Sequence, residues 1–279
     1  MKTVIIADSG GTKTDWCKVD DNGKQVYLHT YSYHPAQWSG EIAKEQREFW
    51  EQYPEWLKTE LYFFGAGCYQ KERGWWMKQT LEDLGFERVF VLSDVHGAAW
   101  AALGNQPGWV AILGTGSVLI EWDGSEVKQI LGGLGHETGD EGSGYRFGRM
   151  VYDRYQQGSL SQEQMAGFNR LVDIEKIEAS RTTNIEKSAM AGIAKTLSGE
   201  VCFALLHKEN IEQFILSFRA QIPDNTKLHF VGSYAWHNRE ELAQILREYS
   251  LSLAGCIEKP IGHLIEQRPF FVDRTAPKR

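Results

Sequence analysis

A pattern of strands and turns occurs twice in the chain, and it limits the possible folds more than any other feature. In residues 4–23 and again in residues 109–124, an apolar strand leads into a turn of glycine and hydroxyl residues, and a strand with a tryptophan follows. Each copy ends in a second turn, Asn22-Gly23 or Asp123-Gly124, of the kind that closes hairpins. A plain hairpin also uses glycine, but it needs only about two turn residues and no hydroxyl groups. The recurrence therefore predicts a duplicated unit in which each copy begins with a polar-tipped hairpin.

The spacing of apolar runs and breakers predicts an α/β chain of two lobes. Asn105-Gln106-Pro107-Gly108 is the strongest candidate boundary, because proline and glycine interrupt helices and strands. We therefore expect an N-terminal lobe over residues 1–104 and a C-terminal lobe over residues 105–258. Further strands are expected over 61–64, 89–92, 228–231 and 250–254, and a loop over 131–144. Helices are expected over 41–60, interrupted or ended near Pro54, and over 72–84, 94–103, 141–157 and 260–267. Residues 159–223 are expected to be mostly helical, and another helix should follow a capping box at 238–241.

Charge and cysteine content exclude several classes of protein. The net charge is −7, which argues against nucleic acid as a partner because phosphate backbones bind basic surfaces. The four cysteines form no C-x-x-C pair, which argues against a zinc ribbon and fits a reducing compartment. No apolar stretch approaches the ~20 residues of a membrane helix, and the apolar start is too short for a signal peptide. We expect a cytoplasmic protein with no membrane partner.

The first polar turn, residues 8–14, is suited to bind phosphate. The backbone N–H groups of Gly10-Gly11 can approach an anion because no side chain intervenes. Thr12-Lys13-Thr14 adds hydroxyl donors and a positive charge. Asp8, at the strand end, either holds a hydrated Mg²⁺ beside phosphate oxygens or only caps the turn. The chain contains neither a Walker A loop nor G-x-G-x-x-G, so phosphate binding would occur through hairpin tips.

Three later segments carry related chemistry. Gly114-Thr115-Gly116-Ser117 repeats the phosphate-binding features in the second lobe. Gly232-Ser233, a turn from strand to helix, is suited to the adenosine end of a nucleotide, although ordinary turns look the same. Asp140 and Glu141 lie in a glycine-rich loop and can hydrogen-bond to sugar hydroxyls.

Asp94 follows an apolar strand and opens an Ala-rich helix, which leaves two interpretations. Aspartate is a favoured N-cap residue. It is also a general base in phosphoryl transfer, where a carboxylate orients the attacking hydroxyl and accepts its proton. Ligands of open α/β sheets bind at the carboxyl ends of strands, and Asp94 lies at such an end.

Taken together, these motifs resemble the sugar kinase, Hsp70 and actin superfamily, and more closely the N-acetylglucosamine kinase branch of the group named after the benzoyl-CoA reductase activator ATPases. The resemblance extends from Asp8 to about Leu246. It implies two actin-like, ribonuclease H-like lobes with mixed β-sheets flanked by helices, and a nucleotide cleft between the lobes. It also implies that the lobes close over ATP and sugar, and that a terminal helix over about residues 259–268 packs back on the first lobe.

The implied activity is ATP- and Mg²⁺-dependent phosphorylation of the 6-hydroxyl of N-acetylglucosamine or a related amino sugar. Asp94 would be the catalytic base, and Asp8 would hold Mg²⁺ through water. In the first-lobe sugar loop, His34 replaces the family's common asparagine and Trp38 can stack on a pyranose ring. The implied sugar contacts are His34, Trp38, Asp94, Asp140 and Glu141. The implied ATP ligands are Gly10, Gly11, Thr12, Lys13, Thr14, Gly114, Thr115, Gly116, Gly232 and Ser233.

Two other functions share this fold and stay open at this point. Activator ATPases hold an iron–sulfur cluster between subunits with cysteines near helix ends, a setting that Cys68 and Cys202 lack. The other alternative is a non-catalytic sugar or nucleotide sensor, because Val118 follows the second phosphate motif where these kinases often have asparagine. The expected ligands are ATP and a small sugar, and a homodimer is compatible with either function.

Overall fold

A computed structural model describes residues 2–133, 139–180, 183 and 186–272. The middle of the predicted glycine-rich loop, 134–138, therefore lies outside the described residues. The chain divides into two compact units. Unit 1 contains the residues up to Asn105 and the C-terminal segment from Pro260, and unit 2 runs from Gln106 to Lys259.

Unit 1 is built on a five-stranded mixed sheet. Its elements up to the boundary are β1 (Val4–Ser9), β2 (Lys13–Val19), β3 (Gln25–Tyr31), α1 (Gly40–Trp50), α2 (Pro54–Leu57), β4 (Glu60–Gly65), α3 (Lys71–Asp83), β5 (Val89–Ser93) and α4 (Asp94–Leu103). The strand order is β3-β2-β1-β4-β5, in which β1, β2 and β3 form an antiparallel meander and β4 and β5 run parallel to β1. Parallel pairing aligns Ser9, Gly65 and Ser93 in one row, so the carboxyl ends of three strands meet at one edge.

Aromatic side chains fill one face of this sheet. Trp16 is fully buried, with its ring stacked on Phe86 at 5.8 Å and edge-on to Trp50 at 4.7 Å between centroids. Such pairs each contribute about 0.5–1.5 kcal/mol beyond the area that they bury. Much of the aromatic content is thus a core that fixes the hairpin of β1 and β2.

Unit 2 repeats the same sheet topology. Its elements are β6 (Gly108–Leu113), β7 (Ser117–Trp122), β8 (Val127–Gly132), α5 (Gly144–Gln156), α6 (Gln162–Leu171), α7 (Ile174–Ser180), α8 (Glu186–Thr196), α9 (Ala204–Phe218), β9 (Lys227–Val231), α10 (Ser233–His237), α11 (Arg239–Glu248) and β10 (Ser252–Ile257). The order β10-β9-β6-β7-β8 again joins an antiparallel meander to two parallel strands. The duplication predicted from the sequence is therefore confirmed.

The last described helix, α12 (Pro260–Phe271), belongs to unit 1. It packs against α4, β1 and β2, and Val272 beyond it accepts a hydrogen bond from the Tyr62 hydroxyl at 2.9 Å. Within the described residues, no helix combines the length and the apolar character that a membrane crossing requires.

Four local predictions were wrong. The strand predicted over 250–254 lies at Ser252–Ile257, because Ser250 has a positive φ of 57°. The capping box at residues 238–241 does not form, because the Asn238 side chain donates to the Tyr234 carbonyl at the end of α10 instead. The helix predicted from residue 141 begins at Gly144, since Asp140 and Gly142 have positive φ values of 66° and 75°. The loop predicted from residue 131 begins later, because β8 continues to Gly132.

Candidate active site

The edge of the unit 1 sheet places two aspartates beside a glycine turn. Asp8 is the penultimate residue of β1, and Asp94 directly follows the last residue of β5. Burial, together with the negative charges of Asp15 and Asp94, raises the pKa of Asp8 to about 7, although the charge of Lys13 lowers it. A nearby cation favours the ionised form of a carboxyl group whose pKa is raised in this way. Asp8 is therefore suited to bind a cation.

This donor set fits a hydrated Mg²⁺. Among the residues that the structure describes, no three His, Cys, Asp or Glu side chains converge as a metal cage. Mg²⁺ in nucleotide sites usually has one or two carboxylates, several waters and the substrate phosphates as ligands. Asp8 supplies such a carboxylate next to the predicted phosphate turn.

Asp94 does not cap its helix. The N-cap of α4 is Ser93, and Asp94 is the first helical residue. One Asp94 oxygen accepts the N–H of Val95 at 3.1 Å, and the positive end of a helix favours an ionised carboxylate. Burial raises the pKa of the nearby Cys68 thiol to about 12, and the negative charge of Asp94 contributes to this rise. Asp94 is thus a half-buried carboxylate at the sheet edge, with the chemistry of a base.

The tip of the first hairpin is exposed and open. Gly10 N–H donates to the Lys13 carbonyl at 3.0 Å, which closes the turn. A Cβ on Gly10 would meet only the Lys13 carbonyl oxygen, at 4.0 Å, so the fold itself does not require glycine there. The Lys13 ammonium lies 2.8 Å from both oxygens of Asp15, which also contacts His29 Nδ1 at 2.6 Å. The turn therefore presents a fixed positive charge beside free space.

Thr14 lies inside the hairpin, away from the tip. Its side chain is fully buried, with the hydroxyl 2.8 Å from Ser9 Oγ and 3.1 Å from the Tyr31 carbonyl oxygen. Tyr33 N–H donates to Ser9 Oγ at 3.1 Å. Thr14 thus attaches the hairpin to the segment after β3, whereas Thr12 is exposed at the tip.

The segment after β3 carries the two predicted sugar residues of unit 1 and contacts the hairpin tip. His34 Nδ1 accepts the N–H of Ala36 at 3.2 Å, so the ring proton lies on Nε2 and makes it a donor. Trp38 is half-buried, and its ring is 4.8 Å from that of Tyr33. Gln37, which the sequence did not single out, donates to the Gly11 carbonyl at 3.2 Å.

In unit 2, the N-terminus of α5 donates hydrogen bonds to the second hairpin tip. Gly114 N–H donates to the Gly116 carbonyl at 3.0 Å. The first two N–H groups of α5, from Gly144 and Tyr145, donate to the Gly114 and Thr115 carbonyls at 2.8 and 3.3 Å. The tip carbonyls are therefore held by the helix.

Gly232 joins the predicted adenosine motif to this hairpin. Its φ is 121°, and a Cβ would lie 2.5 Å from the Leu113 carbonyl oxygen. Glycine is thus required for folding at this position. Ser233 follows it as the exposed first residue of α10.

Asp140 and Glu141 differ in their environment. The Asp140 side chain is only 3% exposed; Oδ1 accepts the N–H of Ser117 at 3.0 Å and Oδ2 lies 2.7 Å from Lys187 Nζ. Only the Ser117 contact is a hydrogen bond, while Oδ2 makes an ion pair and no hydrogen bond among the described residues. The predicted sugar contact of Asp140 stays a prediction. Glu141 is half-buried, and its carboxylate has no partner among the described residues.

Asn210 was not predicted from the sequence, although its side chain supports the loop that contains Asp140 and Glu141. This fully buried side chain in α9 accepts the N–H of Gly142 and donates to the Ser143 carbonyl and the Tyr234 hydroxyl, each at 3.0 Å. A lone asparagine among the apolar residues of a helix was the available signal. Nearby, burial lowers the pKa of His207 to about 4, so this histidine is a neutral part of the network.

Comparison with solved structures identifies the family. The structure of a candidate N-acetylglucosamine kinase from Porphyromonas gingivalis is 30% identical to this chain, covers 95% of it and 98% of its own length, and superposes with a TM-score of 0.81. The chain belongs to the N-acetylglucosamine kinase family. The predicted family and the predicted actin-like fold class are both confirmed.

Two more distant proteins are also similar to this chain. An N-acetylmuramic acid/N-acetylglucosamine kinase of Clostridium acetobutylicum is 22% identical over 302 residues, which cover all of this chain and 92% of the relative. A ROK family glucokinase from Streptomyces griseus, solved with glucose and AMPPNP, shares the fold with a TM-score of 0.61 and 14% identity, over 95% of this chain and 97% of its own. No model of a protein family matches the chain.

Proposed function

We propose that this family member transfers the γ-phosphate of ATP to the 6-hydroxyl of N-acetylglucosamine or a closely related amino sugar. The observation that carries the proposal is the placement of Asp8 and Asp94 at one sheet edge, beside an open glycine turn. Asp8 provides the carboxylate for the metal, and Asp94 provides the base.

Asp94 acts on the attacking hydroxyl. As the sugar oxygen bonds to the γ-phosphorus, its proton passes to the Asp94 carboxylate, and the bond from the γ-phosphorus to the bridging oxygen of ADP breaks. Its contact with Val95 N–H at the start of α4 orients the carboxylate. Asp8 would hold Mg²⁺ through water, and the bound ion would neutralise charge on the phosphates.

Both hairpin tips contribute to ATP binding in this proposal. Unit 1 offers Gly10, Gly11, Thr12 and the fixed charge of Lys13, while Thr14 supports the turn from inside. Unit 2 offers the turn at Gly114, Thr115 and Gly116, and Gly232 with Ser233 for the adenosine end. Each tip is closed by a backbone hydrogen bond of its own, which is the preorganisation that anion binding rewards.

The sugar residues differ from the family's common pattern. His34 supplies a ring N–H donor where an asparagine amide is common, and Val118 supplies no polar group. Trp38 and Glu141 offer an aromatic face and a carboxylate acceptor. Since the Clostridium relative is named for two amino sugars, we expect a preference within that class.

A coupled ADP-release assay tests the proposal. The panel contains N-acetylglucosamine, N-acetylmuramic acid, N-acetylmannosamine, glucose and 6-deoxy-N-acetylglucosamine. We expect the highest kcat/KM on one of the N-acetylated sugars and no turnover of the 6-deoxy sugar. ADP release that no sugar on the panel stimulates would contradict the assignment.

The base is tested with a matched pair of variants. Asp94→Asn should lower kcat by ~10²–10⁴-fold while leaving ATP binding intact, because only the proton acceptor is lost. Asp83→Asn, at an exposed aspartate in α3, is the control and should behave as wild type. Full activity in Asp94→Asn would remove Asp94 from the mechanism.

A further inference from the structure

The second hairpin tip has no cation in its own turn. The first turn contains Lys13, whereas residues 114–117 contain no charged side chain. In the structure a lysine from α8 reaches this tip: the Lys187 ammonium lies 3.2 Å from where a Cβ on Gly116 would be. A positive charge therefore stands at the tip of the second hairpin as well.

Close packing of two helices fixes the position of Lys187. A Cβ on Gly148 in α5 would lie 2.0 Å from the Met190 carbonyl oxygen in α8, so the two backbones touch. At the start of α8, Glu186 pairs with Arg149 of α5 at 3.4 Å. Since α5 also holds the carbonyls of the hairpin tip, the tip and Lys187 are positioned by the same rigid elements.

The ammonium of Lys187 is only partly satisfied. It carries three N–H donors, and one contact, with Asp140 Oδ2 at 2.7 Å, accounts for its ion pair. Its other contact among the described residues is with the face of the Tyr145 ring, whose centroid lies 6.0 Å from Nζ, and no further oxygen or nitrogen acceptor binds it. In the same part of the chain, the N–H of Gly116 at this tip also has no acceptor. The side chain is 31% exposed, so an anion can reach it.

We propose that Lys187 binds a phosphate oxygen of ATP, with Asp140 holding its ammonium in place; this inference rests on the proposed function. The competing explanation is that Lys187 only neutralises the buried carboxylate of Asp140, since a buried charge without a partner is strongly unfavourable. The two explanations predict different behaviour when both charges are removed together.

The test measures binding of Mg·AMPPNP and of adenosine by calorimetry, on the full chain. Lys187→Met should raise the Kd for AMPPNP by about tenfold, because a charge-assisted hydrogen bond to phosphate is lost, and should leave the Kd for adenosine unchanged. Lys187→Arg should keep most of the affinity. Lys195→Met, at an exposed lysine on the same helix, is the matched control.

The double variant Lys187→Met/Asp140→Asn separates the explanations. It contains no unpaired buried charge, and its amide oxygen can still accept the N–H of Ser117. We expect it to bind AMPPNP as weakly as Lys187→Met. Wild-type affinity for AMPPNP in the double variant would contradict the role of Lys187. An equal loss of adenosine binding in Lys187→Met would also contradict it. Neither result would affect the proposed function. If the wild-type chain binds no AMPPNP, the proposed function fails together with the role of Lys187.

Discussion

The hairpin tips of the two units share a backbone plan and differ in the origin of their charges. In each tip, a lysine ammonium lies 2.7–2.8 Å from an aspartate whose side chain is at most 6% exposed. In unit 1 both residues, Lys13 and Asp15, belong to the hairpin itself. In unit 2 they are Lys187 from α8 and Asp140 from a loop. The repeated element is thus the backbone turn, and each unit obtains its fixed charge by a different route.

The loops after the third strands extend this comparison. In unit 1, the Gln37 side chain donates to the Gly11 carbonyl at the tip. In unit 2, Asp140 accepts the N–H of Ser117 at the end of the tip. Both loops brace their hairpin, and both carry the residues predicted to contact sugar.

The aspartate that precedes the first turn has no counterpart before the second turn. Asp8 and Ile112 each lie two residues before the first glycine of their turns, and only Asp8 can bind a metal. In the proposed function, unit 1 therefore supplies the metal ligand and the base, and unit 2 contributes to ATP binding.

The first prediction concerns the glycines that both tips share. Gly10→Ala and Gly114→Ala should each lower kcat/KM for ATP by about 100-fold, because displacement of a bound group by ~1 Å is enough for such a loss. Neither should change the melting temperature, since an added Cβ has no neighbour closer than 4.0 Å at Gly10 and none within 4 Å at Gly114. Steady-state kinetics and thermal unfolding measure both effects.

Gly232→Ala is the contrasting control for this pair. At Gly232 the positive φ and the nearby Leu113 carbonyl make glycine necessary for folding, so its melting temperature should fall. Wild-type activity in both tip variants would show that phosphates do not approach these turns.

The second prediction concerns Asp8, which has no counterpart in unit 2. Its folded pKa of about 7 exceeds the ordinary 3.8, so between these values the folded chain keeps a proton that the unfolded chain has lost. The free energy of unfolding should therefore fall as pH rises from about 4 to about 7. Asp8→Asn should remove this slope and melt a few degrees above wild type at about pH 8, but not at about pH 4.

Activity should change with pH in the opposite direction. In the proposed function, ionised Asp8 holds the metal. We therefore expect kcat/KM for ATP to rise to a plateau above about pH 7, and more Mg²⁺ to move the midpoint to lower pH. A melting difference between Asp8→Asn and wild type that does not vary with pH would contradict the shifted pKa.

How much of this could be predicted from the sequence depends on the distance between partners along the chain. The turns at Gly10-Gly11 and Gly114-Thr115-Gly116 were recognisable because each is a contiguous pattern. Asp94 was recognisable because it directly follows an apolar strand. Lys187 was not, since it meets Gly116 only through the packing of α8 on α5. The start of α5 was not recognisable either, because the spacing of apolar residues does not show that Asp140 and Gly142 have positive φ values.

The third prediction tests whether the two lysines are equivalent. Lys13→Met should raise the Kd for AMPPNP by about tenfold, as for Lys187→Met. It should also move the pH midpoint of activity upward, because the charge of Lys13 lowers the pKa of Asp8. Lys24→Met, at an exposed lysine in the next turn, is the control. An unchanged midpoint would mean that Lys13 does not act on Asp8.

The smallest expected effect belongs to the sugar loop of unit 1. His34→Ala should raise the KM for the sugar by about fivefold, because one neutral hydrogen bond is lost, and should leave the KM for ATP unchanged. His34→Asn should restore the sugar KM, since an amide also donates a hydrogen bond. The rescue separates a sugar contact from support of the loop, because an asparagine cannot reproduce the packing of the ring against Gly67. If Ala and Asn variants show the same sugar KM, His34 shapes the loop and the donor to the sugar lies elsewhere.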